Sequence, residues 1–123
     1  MAAIIIVDDE EKILTPLEEM LRSDGHGVKS FTSSLKAEAY FKTQTADLAI
    51  FDIKMPELDG FSLLRSVRLH RPSLPVIFLS SKAEEQDQII GFTLGADDYI
   101  TKPFSKHLLL FRVAAVLRRH HSQ

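Results

Sequence analysis

Apolar positions along the chain alternate between two rhythms. Ile4 to Val7 is a continuous β-branched run, the mark of a strand covered on both faces. Behind it, KILTPLEEMLRSDG spaces Ile13, Leu14, Leu17, Met20 and Leu21 at helical intervals, with Gly25 placed to end the helix. Pro16 is admissible there only near the helix start, where a missing N–H costs least. The same pairing recurs down the chain. VKSF precedes SSLKAEAYFKT, capped by Ser33 or Ser34, and DLAIFD precedes GFSLLRSVRLH, bounded behind by Pro72 and Pro75. VIFLSS precedes EEQDQIIGFTLGA, and DYIT precedes SKHLLLFRVAAVLRR. Repeated strand–helix pairs on short connections predict an α/β domain whose parallel sheet is wound on both sides.

Composition narrows the setting. A chain of 123 residues, 45% hydrophobic, suits one compact domain with a single core. A formal net charge of −2 supplies no global field to draw nucleic acid or an acidic membrane surface. The absence of Cys excludes disulfides, thiolate metal sites and cysteine nucleophiles, and it fits a reducing compartment. The opening apolar run stops at Asp8, short of a membrane span or a signal-peptide core, so the expectation is a soluble cytoplasmic protein with no membrane partner. No repeat, low-complexity tract or internal linker interrupts it.

The candidate chemistry lies where strands end. IIIVDDEE drives the first strand straight into four carboxylates. Capping the next helix needs only one of them, through Asp9 or Glu10. Asp8, Asp9, Asp52, Ser80 and the pair Thr101–Lys102 all fall at or just beyond the carboxyl ends of predicted strands, and would share the sheet edge where open α/β sheets bind ligands. Clustered carboxylates repel one another unless a cation intervenes. Mg²⁺ meets that need, because it prefers oxygen ligands and keeps several waters. With Lys102 as a second positive charge and Ser80 as a hydroxyl donor, the set matches what phosphoryl transfer requires: positioning and charge stabilisation.

At these residues the sequence resembles the receiver domain of two-component response regulators over essentially its full length. The matching stretches are IIIVDDEE, DIKMPELDG from Asp52 to Gly60, FLSSK from Phe78 to Lys82, and GADDYITKPF from Gly95 to Phe104. Each alone is weak, while all four in order are highly specific. The resemblance implies a flavodoxin-like sheet of order 2-1-3-4-5, in agreement with the strand count. It implies a receiver domain over residues 1–119, with 120–123 the start of a linker or a C-terminal tail. It implies that Asp52 is the phosphoacceptor, that Asp9 contacts Mg²⁺ directly and Asp8 through water, and that Asp52 and the Lys54 carbonyl complete the protein ligands. Ser80 would contact the phosphoryl group, Tyr99 would turn inward when that hydroxyl moves, and Lys102 would pair with the phosphoryl oxygens ahead of a cis bond to Pro103. Without their neighbours, Ser80 and Tyr99 would read as a strand-end serine and a half-buried core tyrosine. KPF just beyond Tyr99 favours the functional reading.

The implied function is a signalling switch. It would take a phosphoryl group from the phosphohistidine of a sensor histidine kinase onto Asp52, catalysing only its own phosphorylation and dephosphorylation. A haloacid-dehalogenase-type phosphatase would need a second Asp where Lys54 stands, and an FMN carrier would need a phosphate loop where DDEE repels phosphate. A pseudo-receiver would have to lose positions that are all present. Lys54 and Lys82 flank the acceptor and bring positive charge near it. His26, His70, His107, His120 and His121 lie away from the acidic edge and read as solvated. GADDYITKPF is most similar to the OmpR/PhoB-type subfamily, whose receivers precede a winged-helix DNA-binding domain. None follows LRRHHSQ in this chain, so an excised fragment and a single-domain regulator both stay open, and this chain is expected to touch no nucleic acid itself.

That subfamily dimerises on phosphorylation through helix four, strand five and helix five. The resemblance places one cross-subunit ion pair on Asp98 and Arg112. Gln88 and Leu108 stand where a second pair would be. Helical spacing puts Leu109, Val113 and Val116 on the core side of helix five, and Leu108, Arg112, Ala115 and Arg119 outside, with Phe111 beside them. The expectation is a homodimer formed by apolar contact around Leu108 and Phe111.

Overall fold

The computed structural model describes residues 2–81 and 85–121. Strands and helices alternate throughout: β1 (Ala3–Val7), α1 (Glu11–Ser23), β2 (Gly27–Phe31), α2 (Ser34–Thr43), β3 (Leu48–Phe51), α3 (Gly60–His70), β4 (Val76–Ser80), α4 (Glu85–Thr93), β5 (Asp98–Thr101) and α5 (Lys106–His121). All strand pairs are parallel and the sheet runs β2-β1-β3-β4-β5, the predicted order.

The continuous apolar runs follow from this topology. Successive side chains of a strand point to opposite faces, and here both faces are covered. Ile4, Ile6, Leu48, Ile50, Ile77, Leu79 and Ile100 pack under Leu14, Leu17 and Leu21 of α1 and Leu109, Val113 and Val116 of α5. Ile5, Val7, Ala49, Phe51, Val76 and Phe78 pack against Ala37 and Phe41 of α2 and Leu63, Leu64 and Val67 of α3. Each large side chain so buried contributes roughly 1.5–3 kcal/mol. The sheet is thereby held as a rigid platform, and its carboxyl edge inherits that rigidity.

Register then decides which residues meet on that edge. Val7 pairs with Phe51, so Asp8 and Asp52 leave adjacent strands side by side. Ser80 pairs with Thr101, one residue before Lys102. The backbone ladder even continues through the site. Asp8 N–H donates to the Phe31 carbonyl (3.1 Å), Asp52 N–H to Val7 (2.9 Å) and Lys102 N–H to Ser80 (2.8 Å).

Three expectations need correction. Pro16 lies in the second turn of α1, because the helix begins at Glu11. Pro16 and Lys12 are both exposed, so the proline sits on the solvent side of the helix and not in the core. His26 and His120 are not free in solvent. The His26 side chain is 10% exposed and its Nδ1 accepts the Ala2 N–H at 3.2 Å, while His120 Nε2 lies 2.7 Å from Asp97 Oδ1. Asp97 also accepts the Val76 N–H at 2.9 Å, which ties the C-terminal turn of α5 to the start of β4. β2 begins at Gly27 and forms a sheet edge, where Lys29 Nζ lies 5.7 Å from the Phe31 ring centre and 5.6 Å from that of Tyr40. A lysine on an edge strand discourages pairing with another chain.

Candidate functional site

Asp8 and Asp52 are 2% and 5% exposed, whereas Asp9 is exposed at the rim. Carboxylate oxygens of the three lie within 4.8 Å of one another. The expected cap does not use them: Glu10 is the N-cap of α1 and makes no side-chain capping bond. Instead, Asp8 Oδ1 accepts the Glu10 N–H at 2.9 Å, and Asp8 Oδ2 accepts from Lys102 Nζ at 2.9 Å. Asp52 Oδ1 accepts the Ile53 N–H at 2.9 Å and stands 3.5 Å from Lys102 Nζ. The Lys102–Pro103 peptide is cis, as expected.

The electrostatics follow from that crowding. Burial, then the negative charge of Asp8 and to a smaller degree Asp9, pushes the Asp52 carboxyl up to about 6, against the pull of Lys102 and the Ile53 N–H. Burial acts against the charge on Lys102 as well. Its hydrogen bond to Asp8 and the charges of Asp52 and Asp8 outweigh that, and hold the ammonium above its ordinary value. Three carboxylates therefore face one ammonium, and the excess negative charge suits a hard dication. The donors are all oxygens, among them the exposed Asp9, so the residues fit Mg²⁺.

Ser80 ends β4 at 1% exposure. Tyr99, on the neighbouring strand, is 8% exposed and already turned inward, its ring centre 6.4 Å from that of Phe78. It is a core residue more than a half-buried one. Lys54 is exposed two residues beyond Asp52, and Lys82 lies outside the described residues.

On the other expected surface, Leu108 is 43% and Phe111 70% exposed, while Leu109, Val113 and Val116 are buried as the spacing predicts. Asp98 and Arg112 pair within one chain, Arg112 Nη1 donating to both carboxylate oxygens at 2.8 and 3.0 Å. The cross-subunit bridge assigned to them is thus already closed internally, since α5 lies beside its own β5. Ile89, Ile90 and Phe92 of α4 are exposed too.

Gly60 was not among the residues expected at the site. A Cβ there would overlap the Asp52 carbonyl oxygen and lie 2.9 Å from Ile53 Cα, so α3 can start against the Asp52 peptide only without a side chain. Gly60 N–H donates to the Ile53 carbonyl at 2.7 Å, and Asp59 caps the helix by accepting the Ser62 N–H at 2.8 Å. The signal was legible: with Asp59 already capping, a glycine at the first helical position has no capping duty, which points to close approach.

Comparison with known proteins agrees with this fold. A family model described as the response regulator receiver domain matches residues 4–114. The alkaline phosphatase synthesis transcriptional regulatory protein PhoP of Bacillus subtilis (strain 168) is 40% identical over 116 residues, covering 94% of this chain and 48% of that protein. A solved response regulator receiver domain protein (CheY-like) from Methanospirillum hungatei JF-1 is similar at a TM-score of 0.94 and 29% identity, covering 99% of this chain and 98% of that one. The response regulator DrrB, a Thermotoga maritima OmpR/PhoB homolog, has a TM-score of 0.86 at 33% identity, covering 97% of this chain and 54% of that one. The chain spans about half the length of the curated relatives it matches.

Proposed function

Because the chain belongs to the response regulator receiver domain family, we propose that it accepts a phosphoryl group on Asp52 from the phosphohistidine of a sensor histidine kinase. The observation that carries this reading is the buried carboxylate pair Asp8–Asp52 bridged by Lys102, with Asp9 at the rim. Transfer forms a bond between an Asp52 oxygen and phosphorus as the phosphorus–nitrogen bond of the donor breaks. Asp52 must be ionised to attack, and with its carboxyl held at about 6 it is so at neutral pH. Lys102 then serves the incoming phosphoryl oxygens, and Ser80 offers its hydroxyl to the same group. Asp9, Asp52 and the Lys54 carbonyl, supported by Asp8, would hold Mg²⁺, which would supply further positive charge for those oxygens. The Glu10 N–H keeps Asp8 oriented throughout.

The output is proposed to run from Ser80 and Tyr99 to the face of α4, β5 and α5. A homodimer is proposed there, closed by apolar contact around Leu108 and Phe111, and Asp98 and Arg112 orient it only by exchanging their in-chain pair for the cross-subunit one. An exposed ion pair contributes only about 0–1 kcal/mol, so apolar area can replace the second bridge without weakening the interface. The receiver is proposed to span residues 1–119, and in the full protein a further domain carries the signal to transcription, as the greater length of the relatives suggests. Among the described residues no helix is long and apolar enough to cross a membrane, and the proposed setting is the cytoplasm.

Beryllofluoride, a stable mimic of the phosphoryl group, tests this reading when added with Mg²⁺. Amide resonances should shift along β4, α4 and β5, and sedimentation should show a dimer that Leu108→Glu abolishes. Shifts confined to the loops of Asp8, Asp9 and Asp52 would mean a site without an output. An activated protein that stays monomeric at high concentration would sink the dimer.

A further inference from the structure

The loop between Asp52 and α3 is clamped by a residue from a different element. Ser34, the first residue of α2, is 1% exposed, and its Oγ donates to the Pro56 carbonyl while accepting the Leu58 N–H, both at 3.2 Å. Those two groups also bond each other, Leu58 N–H to Pro56 carbonyl at 2.7 Å, across Glu57 at φ 69°. This is the strained form of the γ-turn, which persists only where its surroundings hold it. Ser34 touches both of its ends. Ser33 does something else: it caps α2 by accepting the Lys36 N–H at 3.2 Å, with its hydroxyl 3.4 Å from Glu57 Oε1. The capping of α2 therefore does not need Ser34, whose hydroxyl is committed to the loop.

The loop has a site at one end and a fixed stop at the other. Ile53 N–H holds the Asp52 carboxylate, the Lys54 carbonyl follows, and Gly60 closes against the Ile53 carbonyl at 2.7 Å. Slack at Pro56–Leu58 would be taken up between those points. We propose that Ser34 is a positioning residue for the acceptor site: by clamping the γ-turn it sets the path of residues 53–58 and so the arrangement of oxygens offered to the cation. Its effect on the cation rests on the function proposed above, while its effect on the loop does not.

Ser34→Ala, compared with Ala37→Gly, separates positioning from stability. Ala37 is buried in α2 and carries no hydrogen-bonding side chain, so its replacement weakens the helix without removing a hydrogen bond to the loop. In metal-free protein, Ser34→Ala should speed hydrogen exchange at the Ile53 and Gly60 amides about threefold to tenfold beyond its effect on Ile50, the scale of one lost hydrogen bond. Ala37→Gly should alter all three in proportion to global stability. In a Mg²⁺ titration followed by amide shifts, Ser34→Ala should raise the dissociation constant about threefold or more, and Ala37→Gly should leave it unchanged. Exchange at Ile53 and Gly60 that merely tracks Ile50 in Ser34→Ala would overturn the clamp, as would wild-type Mg²⁺ affinity in that variant. A wild type that binds no Mg²⁺ would instead overturn the acceptor reading, and the exchange rates would still decide the clamp.

Discussion

Asp52→Asn should take up no phosphoryl group from a small phosphodonor, even with Mg²⁺ in excess, and in metal-free neutral buffer it should be more stable than the wild type. The first half follows from the role of nucleophile proposed for Asp52, which an amide cannot fill. The second follows from the cost of keeping this carboxylate ionised. Its folded-state value of about 6 lies above the ordinary 3.8, so the folded chain holds the proton more tightly than the unfolded one. Stability contributed by the group is complete below about pH 4, is lost as pH rises toward 6, and stays lost above. The penalty at pH 7 is on the order of 3 kcal/mol as an upper figure, at about 1.4 kcal/mol per unit. Asn keeps the shape and an oxygen for the Ile53 N–H, and avoids that penalty. Urea unfolding at pH 7 should therefore favour Asn by about 1–3 kcal/mol, and the gain should vanish near pH 4. Equal stabilities at both pH values would contradict the electrostatic account, and labelling of the variant would remove Asp52 as acceptor.

Gly60→Ala should cost about 3 kcal/mol and slow phosphoryl uptake. Helix propensity alone predicts the opposite sign, a gain of about 0.5–1 kcal/mol for alanine over glycine. The atoms in the way are the Asp52 carbonyl oxygen and carbon and Ile53 Cα, all backbone, and they cannot swing aside as a side-chain tip would. Any relief must shift α3 or the Asp52 peptide. Gly25 offers the contrast: its φ of 93° needs a residue tolerant of the left-handed region, yet nothing lies within 4 Å of an added Cβ. A Gly60→Ala protein as stable as the wild type, by urea unfolding, would contradict the close approach of α3 to the Asp52 peptide.

The sequence made legible what one strand or helix decides for itself. Ile4 to Val7 announces a doubly covered strand because each face meets a helix, and GFSLLRSVRLH and DYIT match α3 and β5 end to end. The site followed from the same local logic. Parallel strands with polar residues at their carboxyl ends must gather those residues on one edge, so Asp8, Asp52, Ser80 and Lys102 could be grouped before any distance was known. What stayed hidden depends on partners distant in sequence. Nothing near Ser34 announces that its hydroxyl clamps Pro56 and Leu58, and nothing near His120 shows that Asp97 faces it. The in-chain pairing of Arg112 with Asp98 is hidden for the same reason, since only the folded position of α5 beside β5 brings it about. Gly60 lies between these cases, its capping partner adjacent and its steric neighbour one loop away.

The central claim is that this edge of the sheet carries out phosphoryl transfer onto one particular carboxylate. Borohydride reduction of the protein after exposure to a small phosphodonor converts an acyl phosphate to an alcohol, and peptide mass spectrometry then locates it. The account predicts homoserine at position 52 within DIKMPELDG, formed with Mg²⁺ present and lost when a chelator removes it. Homoserine at position 8 or 9, label on a histidine, or undiminished labelling in the chelator would contradict it.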